Sequence, residues 1–238
     1  MACGHCVAVC PVNAVKHQEL EPNGFLPARE GAGVSPEDLY YSLRARRSCR
    51  VYARKEVPRE LLERLIDIAR FAPTGRNWQD FEFLVIRDKP KVEELSQKLA
   101  IHYGNLAKEL EASGDGIPYY LKKALYSFRK NYEYFLQGKD RIFRGAPVVI
   151  VVHASADNPE AIDNSIYALF HMILMAEALG LGTCINGFLI RATERAPELL
   201  KELAIPEGHK VYGCITVGFP KSKFHRFPPR RPPKVRWM

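Results

Sequence analysis

The six residues Pro147-Val148-Val149-Ile150-Val151-Val152 say most about the fold of this 238-residue chain. A short apolar run rich in β-branched side chains predicts a strand that is buried in a sheet. A long, largely apolar helix is expected next, over residues 162–179, followed by a strand or tight loop over 183–188. Long helices mixed with a few strands favour an α+β fold whose sheet is covered by helices.

The elements before and after this stretch follow from local signals. Ser35 and Pro36 open a helix that should end near Arg47, because they supply an N-cap hydroxyl and a proline at the first helical position. Helices are also expected over residues 58–71, 91–100, 118–136 and 193–203, and strands over 81–86 and 211–217.

The charge of the chain is concentrated at one end. The net charge is +8, and residues 221–238 hold seven Lys or Arg and no acidic residue. A local basic tail favours a few arginines that reach one phosphate over a nucleic-acid-binding face. No apolar run approaches the ~20 residues that span a bilayer. We therefore expect a cytoplasmic protein with reduced thiols and neither nucleic acid nor membrane as a partner.

The cysteines near the N-terminus form a recognisable pattern. Cys3, Cys6 and Cys10, followed by Pro11, read C-x2-C-x3-C-P, which is the second part of the ferredoxin run that ligates a [4Fe–4S] cluster. The first cysteine of that run would precede Met1, so we expect these three thiols to hold no cluster here, although a longer protein could hold one. A zinc site is an alternative, but the spacing fits no common zinc motif. Residues 1–15 are thus interpreted as a ferredoxin-type remnant and residues 16–34 as a linker.

Four further segments carry residue types that binding sites use. Residues 46–50, Arg-Arg-Ser-Cys-Arg, can offer paired donors to a phosphate, or form a solvated basic helix end. Residues 72–81 form a polar turn between a helix and a strand. Residues 178–188 hold three glycines that permit close backbone approach, or make a helix C-cap and a strand. Residues 228–231, Pro-Pro-Arg-Arg, stiffen the basic tail.

The order and spacing of these segments resemble the nitroreductase family of FMN-dependent oxidoreductases, in the subgroup that carries an N-terminal ferredoxin-type domain. The resemblance covers roughly residues 35–231, which is most of the chain, and we interpret residues 35–238 as the FMN-binding domain. It implies a three-layer α/β/α sandwich and an intertwined homodimer with FMN at the interface.

The resemblance also implies roles for individual residues. The residues that would hold the FMN phosphate and nearby polar atoms are Arg46, Arg47, Ser48, Arg50, Arg230 and Arg231. Those that would contact the flavin from the other subunit are Thr74, Gly75 and Asn77. Those that would line the isoalloxazine ring are Cys184, Asn186 and Gly187. Asp80 and Asn186 depart from the family pattern, in which proline and glutamate are common at these positions. No protein side chain is expected to act as the catalyst, because the flavin carries the chemistry.

The activity implied is electron transfer from NADH, NADPH or a reduced ferredoxin-type donor to a small acceptor such as a nitroaromatic or a quinone. Two alternatives stay open. The chain could be an electron-transfer flavoprotein module, fed by ferredoxin clusters, with no small substrate of its own. It could also be a reductive dehalogenase or a flavin-modifying enzyme on the same fold.

Overall fold

The computed structural model describes residues 2–28, 31, 33–113 and 117–238. Met1 and residues 29, 30 and 32 of the predicted linker lie outside the described residues. The helices are α1 (His5–Ala8), α2 (Pro36–Ala45), α3 (Arg59–Ala69), α4 (Lys89–Ala112), α5 (Tyr119–Leu136), α6 (Ala161–Ala178), α7 (Gly187–Arg195) and α8 (Glu198–Glu202). The strands are β1 (Phe81–Ile86), β2 (Val148–Ser155), β3 (Gly182–Ile185) and β4 (His209–Gly218). Short 3₁₀ turns occupy Pro22–Gly24 and Gly75–Asn77.

The four strands form one antiparallel sheet in the order β1-β2-β4-β3. β2 is central, as its apolar run predicts, and its side chains alternate between two cores. Val149 and Val151 pack on one face, whereas Val148, Ile150 and Val152 pack on the other. Alternation across the pleat explains why one continuous apolar run serves both faces.

Helices cover both faces of the sheet. The core on one face takes apolar side chains from α4, α5, α7 and α8, and the core on the other face takes them from α3 and α6. The result is a three-layer α/β/α sandwich, which confirms the predicted fold class.

The predicted bounds of two helices are wrong. The helix expected over residues 91–100 runs from Lys89 to Ala112. Tyr132 of α5 packs where a Cβ on Gly104 would stand, so this glycine permits a close crossing of the two helices. The helix expected over 193–203 is divided at Ala196 and Pro197, since proline cannot continue the hydrogen bonding of α7.

Residues 48–53, which we call the edge segment, lie along one edge of the sheet. Ser48 pairs with Thr183 of β3 in a parallel bridge, and Tyr52 pairs with Pro220 in an antiparallel one. The Cys49 N–H donates to the Thr183 carbonyl at 2.7 Å. The edge segment is thereby fixed against the strands that follow it by more than a hundred residues in sequence.

No helix of the described residues is long and apolar enough to cross a membrane.

Candidate functional site

Tyr52 anchors the edge segment in the interior. Its side chain is 9% exposed, and its hydroxyl hydrogen bonds to Thr216 Oγ1 at 2.7 Å and donates to the Cys49 carbonyl at 3.0 Å. Burial raises the pKa of Tyr52, so the phenol keeps its proton near neutral pH. One buried side chain thus sets the position of the backbone that follows the arginines of α2.

Gly182 allows the edge segment to lie close to β3. A Cβ built on Gly182 would lie 2.6 Å from Cys49 Cβ and 2.8 Å from Cys49 Sγ, so any larger residue would push the segment away. Gly180, just before it, has a φ of 69° and ends α6, with the Leu181 N–H bonded to the Ala176 carbonyl. The glycines of residues 178–188 therefore make a helix C-cap and a close strand contact.

Arginines from two distant parts of the chain meet in a cleft of about 410 Å³, which we call the arginine cleft. Its lining residues are Tyr40, Leu43, Arg44, Arg46, Arg47, Phe227, Pro228 and Arg230. Arg46, Arg47 and Arg230, predicted to act together, are therefore neighbours. Arg231 is exposed and lies outside this set of lining residues.

Aromatic contacts hold the basic tail across α2. The Phe227 ring packs edge-on against Tyr41 with centroids 5.1 Å apart, and the Arg44 guanidinium lies over the Phe227 ring. Arg47 lies over Phe224 in the same way. These contacts explain how a proline-rich segment without secondary structure brings its arginine to the end of α2.

The arginine cleft adjoins a larger cleft of about 680 Å³, because Arg47 lines both. This central cleft is also lined by Ser48, Arg50, Gly180 and Gly182. Glu177 lies in its wall, where burial raises the pKa of the carboxyl and the positive charge of Arg46 opposes that rise.

A third cavity, of about 240 Å³, adjoins the central cleft because Arg50 lines both. We call it the Cys184 pocket; it is lined by Arg50, Ile142, Arg144, Cys184, Ile185, Asn186, Gly187, Phe188 and Arg191. The three cavities follow one another along the end of α2 and the edge segment, and we call them together the groove. Eight of the twelve residues proposed from the sequence line it: Arg46, Arg47, Ser48, Arg50, Cys184, Asn186, Gly187 and Arg230.

Asn186 is the N-cap residue of α7. Its Oδ1 accepts the Leu189 N–H at 3.0 Å and caps α7, and its Nδ2 donates to the Ile142 carbonyl at 2.7 Å. Residues 187 and 188, expected in a strand or tight loop, therefore begin a helix. The side-chain amide of Asn186 thus has one N–H and its oxygen engaged by the protein itself, while the residue lines the Cys184 pocket.

The turn that holds Thr74, Gly75 and Asn77 does not line the groove of the same chain. The Gly75 N–H donates to Asn164 Oδ1 at 2.9 Å, and Asn77 Nδ2 donates to the Ala2 carbonyl at 2.9 Å. Asp80 accepts from Asn158 and Asn164, so the residue that departs from the family pattern ties this turn to the start of α6.

The N-terminal cysteines are wholly or partly exposed to solvent. Cys3 and Cys6 are exposed and Cys10 is partly exposed, and the described residues hold no group of three or more side chains placed to ligate a metal. The Cys10 sulfur instead accepts the Ala14 N–H at 3.2 Å, and backbone donors at residues 12–15 lower the pKa of this thiol. The residues present do not fit a four-thiolate cluster.

Sequence analysis missed Arg44, Glu177, Arg144 and Arg191. Arg44 precedes the recognised motif, and Glu177 lies within an apolar helix, so neither stood out. Arg144 and Arg191 reach the Cys184 pocket from a loop and from α7, and no spacing pattern in the sequence joins them.

Known proteins resemble the chain over most of its length. A protein of Archaeoglobus fulgidus, named as an inferred NADH dehydrogenase/NAD(P)H nitroreductase, is 26% identical over 207 residues, which are 84% of this chain and 99% of that protein. A Cr(VI) reductase of Pseudomonas sp. strain G-1 is 29% identical over 193 residues, which are 80% of this chain and 69% of that enzyme. The solved structure of a Bacteroides fragilis nitroreductase with bound FMN shares the fold, with a TM-score of 0.66 at 22% identity over 84% of this chain and 98% of that one. Residues 43–219 match the sequence profile of the nitroreductase family, and because this match spans most of the chain, the protein belongs to the nitroreductase family.

Proposed function

We propose that the protein is an FMN-dependent oxidoreductase that passes electrons from NAD(P)H or a reduced iron–sulfur donor to a small acceptor such as a nitroaromatic or a quinone. The observation that carries the proposal is the groove itself. At one end, arginines at the end of α2 and in the tail converge on one cavity. Next to it lies a larger cleft whose lining combines apolar and small residues with Arg50, Glu177 and Lys223. A phosphate joined to a flat ring system would place its charge in the first cavity and its ring in the second.

The donor set of the groove fits FMN. Arg46, Arg47 and Arg230 supply planar, permanently charged donors that suit a phosphate dianion. Ser48 adds a hydroxyl beside them. When bound, FMN would supply the redox chemistry between the donor and the acceptor.

The residues that fix the edge segment would position the cofactor. Tyr52 and Gly182 fix the edge segment, so Ser48 and Arg50 are held in place before a ligand arrives. Preorganised donors lower the conformational cost of binding. Arg50, at the junction of the central cleft and the Cys184 pocket, places a positive charge beside the ring.

A homodimer is part of the proposal. α2 buries none of its residues, and Leu39, Tyr40 and Tyr41 are 48%, 64% and 63% exposed. α6 exposes the apolar residues Ile162, Ile166, Tyr167 and Phe170 on its outer side. A second copy of the chain would cover these faces and bring its Thr74, Gly75 and Asn77 to the groove. Sedimentation velocity tests this arrangement, and a monomer at micromolar concentration would exclude it.

The cofactor is tested first by the absorption spectrum of the purified protein, before and after incubation with FMN. A flavin spectrum that is bleached anaerobically by NADH or NADPH supports the proposed donor. A flavin that neither nicotinamide reduces would favour the electron-transfer alternative, and protein that never takes up flavin would refute the proposal.

The placement of the phosphate is tested by adjacent arginines of the tail. Arg230→Ala should weaken FMN binding by about 10- to 100-fold, since a charge-assisted hydrogen bond is lost. Arg231→Ala removes the same charge from a side chain outside the cleft and should change the Kd by less than about threefold. Equal effects of the two substitutions would place the phosphate elsewhere.

A further inference from the structure

Three arginines face the Cys184 pocket. Arg50 comes from the edge segment, Arg144 from the loop before β2 and Arg191 from α7. The pocket also contains Gly187, the first residue of α7, and the N-terminus of a helix adds partial positive charge. Four positive groups from three parts of the chain thus surround about 240 Å³ of space.

These three arginines have no ion-pair partner within the part of the chain that the structure describes. Among the described residues, none of the three arginines has an acidic group within ion-pair distance, although nine such pairs occur elsewhere. Asp140 is the acid that influences Arg144, but its carboxylate already accepts from Ser96 and from the backbone N–H groups of residues 142, 143 and 145.

The backbone conformation and the charge environment of Arg144 are both unfavourable. Its backbone has a φ of 62°, in the left-handed region that non-glycine residues rarely adopt. Its side chain is half-buried, and the pKa of its guanidinium is lowered by burial and by the like charges of Arg50 and Arg141. A strained, partly desolvated cation among other cations would be stabilised by a bound anion.

We propose that Arg144 and Arg191, together with Arg50, bind a negatively charged group of the electron acceptor, so that the enzyme prefers acceptors that bear a carboxylate or a similar oxyanion. This inference rests on the proposed function, in which the Cys184 pocket lies beside the flavin ring. The phosphate of FMN has its own arginines at the other end of the groove. The charge of one reduced flavin ring would offset only one of the three cations, so two are left for the acceptor.

A matched pair of acceptors tests the proposal. Steady-state reduction of 4-nitrobenzoate and of neutral 4-nitrobenzamide is measured on the FMN-loaded enzyme, and the ratio of the two kcat/KM values is compared between variants. Arg144→Gln and Arg191→Gln should each lower this ratio by about tenfold, because each removes one attractive charge near the carboxylate. Arg195→Gln is the matched control: it removes the same charge from α7 one turn further on, outside the pocket, and should leave the ratio unchanged.

A binding measurement separates the two proposals. Calorimetric titration with unreactive benzoate and benzamide should show tighter binding of benzoate, with a preference that falls as salt is added and is lost in Arg144→Gln. If no acceptor turns over but this preference persists, the proposed oxidoreductase fails and the anion site stands. If turnover is normal but the acceptor ratio is the same in all variants, the anion site is refuted. A loss of FMN affinity in Arg144→Gln, with an unchanged benzoate preference, would assign the arginines to the cofactor and also overturn the proposal.

Discussion

Replacing Tyr52 with phenylalanine tests how the edge segment is held. The ring and its packing stay, and only the hydroxyl is lost, with its hydrogen bonds to Thr216 Oγ1 at 2.7 Å and to the Cys49 carbonyl at 3.0 Å. The Cys49 carbonyl then loses this donor, whereas the Thr216 hydroxyl, whose single proton serves either Tyr52 or the Cys184 carbonyl, is free to donate to that carbonyl at 3.3 Å. Losing a buried hydrogen bond and leaving a group without its partner costs about 1–3 kcal/mol, so we expect a loss of about 2 kcal/mol in the free energy of unfolding.

Urea denaturation of the FMN-free protein measures this loss, and the m-value should stay unchanged because the same surface is exposed on unfolding. Tyr126→Phe is the control, since Tyr126 is 61% exposed and its substitution should cost less than about 0.5 kcal/mol. In a double-mutant cycle, Tyr52→Phe and Thr216→Val should show a coupling of about 1 kcal/mol. A destabilisation of Tyr52→Phe below about 0.5 kcal/mol, or strict additivity in the cycle, would refute the reasoning.

Three other measurements follow from the described residues. Burial lowers the pKa of His153 in the folded protein, so the unfolded chain takes up this proton first as the pH falls. The contribution of His153 to the free energy of unfolding should therefore be fully present above about pH 6.5 and decline below it. A Tm that stays constant between pH 7 and pH 5 would contradict this. Backbone donors lower the pKa of the Cys10 thiol, whereas burial raises the pKa of the Cys49 thiol. Mass spectrometry should therefore find Cys10 alkylated at a lower pH than Cys49, because the thiolate is the reactive form. The reverse order of alkylation would contradict the assigned hydrogen bonds. Gly182→Ala should lower the free energy of unfolding by about 1–3 kcal/mol, because the added Cβ would meet Cys49. Gly24→Ala is the control: no atom lies within 4 Å of its added Cβ, so the free energy of unfolding should change by less than about 0.5 kcal/mol. Similar effects of the two substitutions would rule out close packing at the sheet edge as the cause.

The layers of the fold follow from local patterns that the sequence displays directly. Residues 148–152 are β-branched throughout, so their burial on both faces needs no knowledge of the rest of the chain. The cap at Ser35 was equally predictable, and its hydroxyl accepts the Asp38 N–H at 3.0 Å as expected. Such features depend on neighbours within a few residues, which makes them accessible to pattern analysis.

The candidate site was only partly predictable, because its residues meet through long-range packing. Arg144 lines the Cys184 pocket from a loop in which its own backbone is left-handed, and Arg191 lines it from α7, which begins where a strand or tight loop was expected. The capping role of Asn186 depends on that same helix. The residues assigned to FMN, the dimer interface and the iron–sulfur role of the N-terminal cysteines remain predictions, because each depends on a ligand, a cluster or a second copy of the chain.

The edge segment has a consequence for the solubility of the protein. β3 is a short outer strand, and an outer strand with unpaired backbone groups can recruit the strands of other molecules. Because the Cys49 N–H occupies the Thr183 carbonyl, the segment that prepares the groove for its ligand also blocks this route to aggregation. We therefore expect FMN to act as a solubilising ligand: a bound phosphate would pin the segment to β3, and protein stripped of flavin should precipitate sooner on storage than the loaded form.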